Sequence, residues 1–270
     1  MFNYEIALNY WEFFLLILVR IASFVYTAPF FNISSVPQKV KISISIFISI
    51  LIFMITPDRT IEYTGLLDYA ILIIKESVVG LLLGFVCNVC VQAITFAGHI
   101  IDTDIGLSMA NMYDPTLRTQ TSISGTFYYY TVFLLMMVTG LYQFLISAIV
   151  DSYSIIPIGK VTINAALYDS FLDVIAGFLI VGIRIALPVF ISMMLMNIIL
   201  GILCRVAPQL NMFAVGIQMK LLFGLAIMFL TIGLLPTVSN MLLNMMKQAV
   251  RQIAGGLVSV SYTHLTLPTT

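Results

Sequence analysis

The sequence predicts an all-α integral membrane protein with about six long hydrophobic helices, some of them kinked. Three observations carry that prediction. Of 270 residues, 61% are hydrophobic and only 9% charged, with a mean hydropathy of +1.08. Soluble domains carry roughly 25% charge, so this chain lacks the polar surface to face water and belongs in a bilayer. The apolar residues gather in runs long enough to span one. Glycine, proline and charged residues fall between those runs or at isolated points inside them. Twelve basic residues balance twelve acidic ones, so no basic face points to nucleic acid. One membrane domain over 1–257 is expected, with 258–270 set apart as a Thr-rich, non-native or disordered tail.

The first segment covers 13–31. The opening "MFNYEIALNYWEFFLL" carries Glu5 and Glu12 where a signal peptide would be basic, and no small-residue cleavage site follows. An uncleaved first membrane helix is expected. The second segment, 40–56, starts at Lys39 and Lys41. Its apolar part is only about 22 Å long as a helix. The third, 68–97, admits Lys75 and Glu76, and its "GLLLG" from Gly80 to Gly84 marks a close-packing face. The fourth covers 127–150. The fifth and sixth, 171–203 and 214–246, would each run about 50 Å, beyond a hydrocarbon core of about 30 Å without tilt, kinks or projection.

Pro188 interrupts the fifth segment and frees the Arg184 carbonyl, so a broken backbone bond and a charge fall at one level. Pro236 is expected to do the same at Ile232. A charge at mid-membrane costs about 2.5–3.5 kcal/mol on insertion scales, so Arg184 and Lys220 should be buried against protein or face water. Glu76 or Asp102 could neutralise either, and the sequence does not pair them. Loop charges do not orient the chain: Lys39, Lys41, Arg118 and Arg205 on one side oppose Arg59, Lys160, Lys247 and Arg251 on the other. Partner proteins are therefore expected to help set its position.

Between the third and fourth segments lies "GHIIDTDIGLSMANMYDPTLRTQTSISG", 98–125. Gly106 and Asp114-Pro115 punctuate it. Met109, Met112 and the neighbouring Tyr113 are bulky and apolar, and methionine adapts to irregular surfaces. Such a loop suits a plug or pore constriction that yields, or equally a surface loop packed on nearby helices. Asp102 and Asp104 are an alternative proton or cation site, although carboxylates two apart on a helix point in different directions. Cys87 and Cys90 form a C-x-x-C within an apolar run and read as small buried residues rather than zinc ligands. No metal or cofactor is expected. Neither HExxH, GxSxG with partners nor a phosphate-binding glycine loop occurs, so no enzyme is expected.

The stretch "CRVAPQLNMF", 204–213, separates the two longest segments. Pro208 stops a helix. Gln209 and Asn211 can hydrogen-bond the open backbone, and Arg205 offers donors and positive charge to the helix end. The result is a polar elbow ahead of Phe213.

The run from Arg184 to Leu225 resembles the signature region of the flagellar biosynthesis protein FliR family and its type III secretion relatives. The matching positions are Ala186-Leu187-Pro188, Asn197, Gly201, Arg205, Ala207-Pro208-Gln209, Asn211, Phe213, Gly216, Lys220 and Gly224. A second block is similar to the same family at Gly98, Ile101-Asp102, Gly106, Ala110, Asp114-Pro115, Gly140, Ser152 and Pro157. The resemblance covers roughly 1–256. Met109 and Met112 depart from it, because aromatic residues are common there in the family.

The resemblance implies a structural and pore-forming subunit of the bacterial inner-membrane export gate at the flagellar basal body. Residues 1–170 would form a FliP-like part and 171–257 a FliQ-like hairpin. The implied partners are FliP-like, FliQ-like and FlhB-like subunits, with unfolded flagellar proteins as cargo. A gate of a non-flagellar type III system is one alternative. The other is a secondary transporter using Arg184, Asp102 and Asp104, but the halves show no convincing internal repeat.

Overall fold

The structure is a computed structural model. It describes residues 4–33, 36–56, 61, 63, 65–109, 122–162, 164–207, 209 and 212–257. Among them every regular element is a helix: α1 (Tyr4–Thr27), α2 (Gln38–Ile55), α3 (Leu66–Ile105), a 3-10 turn (Leu107–Met109), α4 (Ile123–Val138), α5 (Leu141–Ile155), α6 (Ala165–Val206), α7 (Met212–Thr231), a second 3-10 turn (Ile232–Leu234) and α8 (Leu235–Gly256). Five helical stretches are long and apolar enough to cross a membrane, or six if α4 and α5 count as one broken span. The all-α multi-pass architecture expected from composition is therefore the observed one.

The helix ends differ from expectation for local reasons. α2 begins right after Pro37, so its 18 residues reach about 27 Å. α3 runs to Ile105 and α6 to Val206, giving 40 and 42 residues. The expected fourth segment is two helices. Gly140 sits at φ +102°, a left-handed conformation that a side chain rarely adopts, and it ends α4. The expected sixth segment is also broken. Pro236 lies in the first turn of α8 rather than inside one long helix. Having no N–H, it cannot bond the Ile232 carbonyl. The Leu235 N–H bonds that carbonyl instead, tightening the chain into the 3-10 turn. Pro188, by contrast, is accommodated within a continuous α6.

Contacts divide the chain into two compact units that alternate along it. The first comprises the described residues of Met1–Asn88, Tyr142–Val174 and Lys247–Thr270. Its core centres on α1, where Leu16, Ile17, Ile21 and Phe24 are buried. The glycines of "GLLLG" seat α3 against α1. A Cβ on Gly80 would collide with the Arg20 carbonyl and Ser23 Oγ, and one on Gly84 with Thr27 Oγ1. The close-packing face is thus real.

The second unit comprises the described residues of Val89–Leu141 and Ile175–Met246. Ile94, Ile101, Ile105, Val132 and Met136 lie in its interior. Gly98 meets Gly125 backbone to backbone, so α3 and α4 cross without a side chain between them. Cys87 and Cys90 are buried as expected, whereas Cys204 is exposed.

Candidate functional site

The segment singled out as a plug is held at both ends within the second unit. α3 ends when Gly106 turns at φ +91°, its N–H donating to the Asp102 carbonyl at 3.0 Å. Leu107–Met109 then forms a single 3-10 turn. The far end is the N-terminus of α4. There Ser122 Oγ accepts from the Gly125 N–H at 2.8 Å, a helix N-cap worth about 1 kcal/mol. The buried Asp102 carboxylate accepts from the Ser124 N–H at 3.1 Å. A carboxylate at this position also meets the positive end of the helix dipole. Asp102 is therefore a clamp joining α3 to α4, and the expectation that it could neutralise Arg184 or Lys220 is corrected. A helix start offers unpaired N–H groups that attract a nearby carboxylate.

α7 closes the other side of this clamp. Ser124 Oγ donates to Met228 Sδ at 3.3 Å, and the Tyr128 hydroxyl lies 3.2 Å from Thr231 Oγ1. Gly224 passes directly over the Ile105 side chain. Asp104 interacts electrostatically with the half-buried Lys220, and its Oδ2 is buried without a hydrogen-bond partner among the described residues. The two aspartates thus have different surroundings. Among the described residues no three His, Cys, Asp or Glu side chains gather as metal ligands. Met112 and Tyr113 lie outside the described residues, as does the Met109 side chain.

The first unit contains a charged centre that periodicity did not reveal. Arg20 and Glu76 are fully buried and paired, Nε to Oε2, at 2.5 Å. Arg20 Nη1 also donates to the Ile156 carbonyl at 2.9 Å and, more weakly, to Ser152 at 3.5 Å. The guanidinium stacks over the Tyr153 ring at 4.3 Å. Glu76 Oε1 accepts from the Gly159 N–H at 2.9 Å. Gly159 can aim that N–H because it turns at φ +79°. Glu76 therefore belongs to Arg20, not to Arg184 or Lys220. The available signal was one arginine inside the first apolar run. Its partner stands 56 residues away, so only tertiary structure pairs them.

Arg184 is exposed on α6, with Nη1 3.8 Å from Met241 Sδ. It is not a buried charge within this chain, because it falls on the outward face with Ile183 and Leu187. Pro188 beside it is half-buried, and its carbonyl accepts from Ser192 Oγ at 2.8 Å. At the elbow, Arg205 occupies the exposed last turn of α6, and the Ala207 N–H closes that turn on the Leu203 carbonyl at 2.9 Å. Gln209 is an exposed turn residue. Pro208 and Asn211 lie outside the described residues, and Phe213 is the second residue of α7, with its side chain outside them.

The family model described as bacterial export proteins, family 1, matches residues 11–246. A flagellar biosynthetic protein FliR of Buchnera aphidicola (from Schizaphis graminum) is 31% identical over 212 residues, covering 78% of this chain and 82% of that protein. The Bacillus subtilis FliR is 29% identical over 252 residues, 92% of this chain and 96% of its own length. The Escherichia coli FliR is 30% identical over 216 residues, covering 78% and 80%. The chain belongs to the FliR family of bacterial export proteins.

As a FliR-family member with several apolar helices, it is a multi-pass bacterial membrane protein. Several of the positions that carried the FliR resemblance have visible structural roles. Gly98 and Gly224 permit close helix crossings, Asp102 clamps α4, and Gly106 and Gly140 take left-handed turns. Ser152 supplies one of the carbonyls that receive Arg20.

Proposed function

We propose that the chain is a structural and pore-forming subunit of the inner-membrane protein-export gate at the flagellar basal body. It passes unfolded flagellar proteins outward as one part of a complex, with FliP-like, FliQ-like and FlhB-like membrane subunits. It needs no cofactor and catalyses no reaction. The observation that carries this reading is the FliR-family match across residues 11–246. The flagellar relatives favour a flagellar gate over a virulence-type one.

The helix surfaces support an assembly. Within the chain, only 33% of the most apolar window of α6 is buried, and 17% of that in Val215–Gly256. Such outward faces meet lipid or other apolar helices. Residues 171–257 act as a FliQ-like hairpin whose elbow, at Arg205, Pro208, Gln209, Asn211 and Phe213, fixes its packing on a neighbouring subunit. Residues 1–170 act as the FliP-like part. The 106–113 segment is the movable constriction. Gly106, at the end of α3, and Ser122, at the start of α4, are held on either side of it. An apolar constriction blocks ions by excluding water, and methionines at it adapt to a passing chain.

Native mass spectrometry of the chain, co-expressed with the genes beside its own, tests this. The expected result is one copy locked into a larger complex of small helical membrane proteins. A lone monomer or dimer that moves a small solute in liposomes would overturn the reading in favour of a secondary transporter.

A further inference from the structure

Within the first unit, α5 and α8 flank a cleft of 300 Å³ floored by Leu83 of α3. Its size is at the lower end for small-ligand sites. We propose that this cleft binds one monoanionic glycerophospholipid, phosphatidylglycerol in class, with its phosphate on Lys247 and Arg251.

The two cations stand four residues apart on α8 and so share one face. Both line the cleft and both are exposed. Asp151 lines the opposite wall and is also exposed. Among the described residues none of these three charges has an ion-pair partner within 4.0 Å, since the single such pair is Arg20 with Glu76. The cleft therefore carries two positive charges and one negative. A lipid phosphate with one negative charge neutralises it, whereas a zwitterionic headgroup leaves it positive. Asp151 remains as an acceptor for the hydroxyls of a glycerol headgroup. The Ser147 and Ser152 hydroxyls already donate to the Phe144 and Ile149 carbonyls. The phosphate donors are accordingly the ammonium and the guanidinium.

Depth and wall chemistry favour lipid over a soluble anion. Asp151 is four residues from the end of α5, and Arg251 five from the end of α8. Both lie within about 8 Å of their helix ends along the axis. Cations near the end of an apolar helix meet lipid headgroups where that helix reaches the membrane surface. Lys247 is deeper, and its stem runs beside Phe144, with Nζ 6.0 Å from the ring centroid. The rest of the wall, including Leu83, Phe144 and Ala254, is apolar and suits the start of an acyl chain. Basic pockets between spanning helices are a recognised way of holding acidic headgroups.

The test is native mass spectrometry of the full chain in detergent, titrated separately with dioleoylphosphatidylglycerol, dioleoylphosphatidylethanolamine and chain-free glycerophosphoglycerol. One phosphatidylglycerol should be retained, with at least a tenfold preference over each of the others. The double variant Lys247→Gln/Arg251→Gln should lose that preference to within twofold. Both side chains are exposed, so its melting temperature should match that of the parent. The charge-keeping pair Lys247→Arg/Arg251→Lys should bind as the parent does. Equal retention of the two lipids overturns the proposal, as does undiminished binding by the Gln variant. Tight binding of the chain-free compound would mark a soluble phosphate site instead. Loss of the preference once neighbouring subunits are co-purified would assign the cleft to a protein partner.

Discussion

Arg20 and Glu76 stand at the centre of the first unit with no solvent contact. Isolated, either charge would cost several kcal/mol in such a place. Together they pair with each other and with the Ser152 carbonyl of α5, the Ile156 carbonyl just after it and a turn N–H, leaving Arg20 Nη2 without a hydrogen-bond partner among the described residues. Breaking a buried pair by removing one partner typically costs about 3–5 kcal/mol, because the other charge is stranded. Arg20→Met and Glu76→Met should each lower the melting temperature of the detergent-purified chain sharply. The double variant should lose less than either single one. A double variant whose loss equals the sum of the two would show that pairing is not what matters. This centre was only half legible. The charges are plain in the sequence, but Glu76 has several cations to choose from, and only the fold brings α1, α3 and α5 together. Asp102 was hidden for a related reason: capping a helix 22 residues onward leaves no periodic trace.

At the level of helices, glycine spacing was the most readable feature. "GLLLG" announced a close approach, and Gly80 does lie on the α1 backbone. Breaks were harder to place. Pro188 and Pro236 look alike in sequence, yet α6 runs on through the first while the helix before the second ends in a 3-10 turn. Gly140 split an apolar run that composition alone reads as one helix. The glycines divide in a testable way. At Gly80 a methyl group would strike the Arg20 carbonyl, which is backbone and cannot swing aside. Gly80→Ala should destabilise the chain by about 1–3 kcal/mol, the usual range for overpacking. At Gly201 a methyl group would meet nothing within 4 Å. There Gly201→Ala should leave the isolated chain unchanged or more stable by up to about 1 kcal/mol, since alanine is the better helix former. Thermal melts of the two variants side by side decide it. Equal losses at both positions would mean that glycine serves backbone flexibility, not close packing.

Over the whole molecule, apolar surface left uncovered on α6 and α7 matches a chain made to sit among other helices. Composition disclosed that much, because a protein this apolar cannot hide all its surface in its own core. The proposed constriction would belong to no single helix. Gly106 and Asp102 hold the end of α3, and Asp102 and Ser122 the start of α4. If Met109 and Met112 supply the apolar plug, replacing both with glycine removes bulk and leaves the clamps intact. The Met109→Gly/Met112→Gly gate should then leak small ions across the inner membrane while protein export continues. Ion-dependent swelling of cells or conductance of reconstituted gates reads the leak, and secretion of hook protein into the medium reads export. A leak with export intact fits a plug that only seals. Loss of export without a leak would mean that the segment holds the complex together. Conductance equal to the parent's would remove both methionines from the gate and leave the segment as a surface loop.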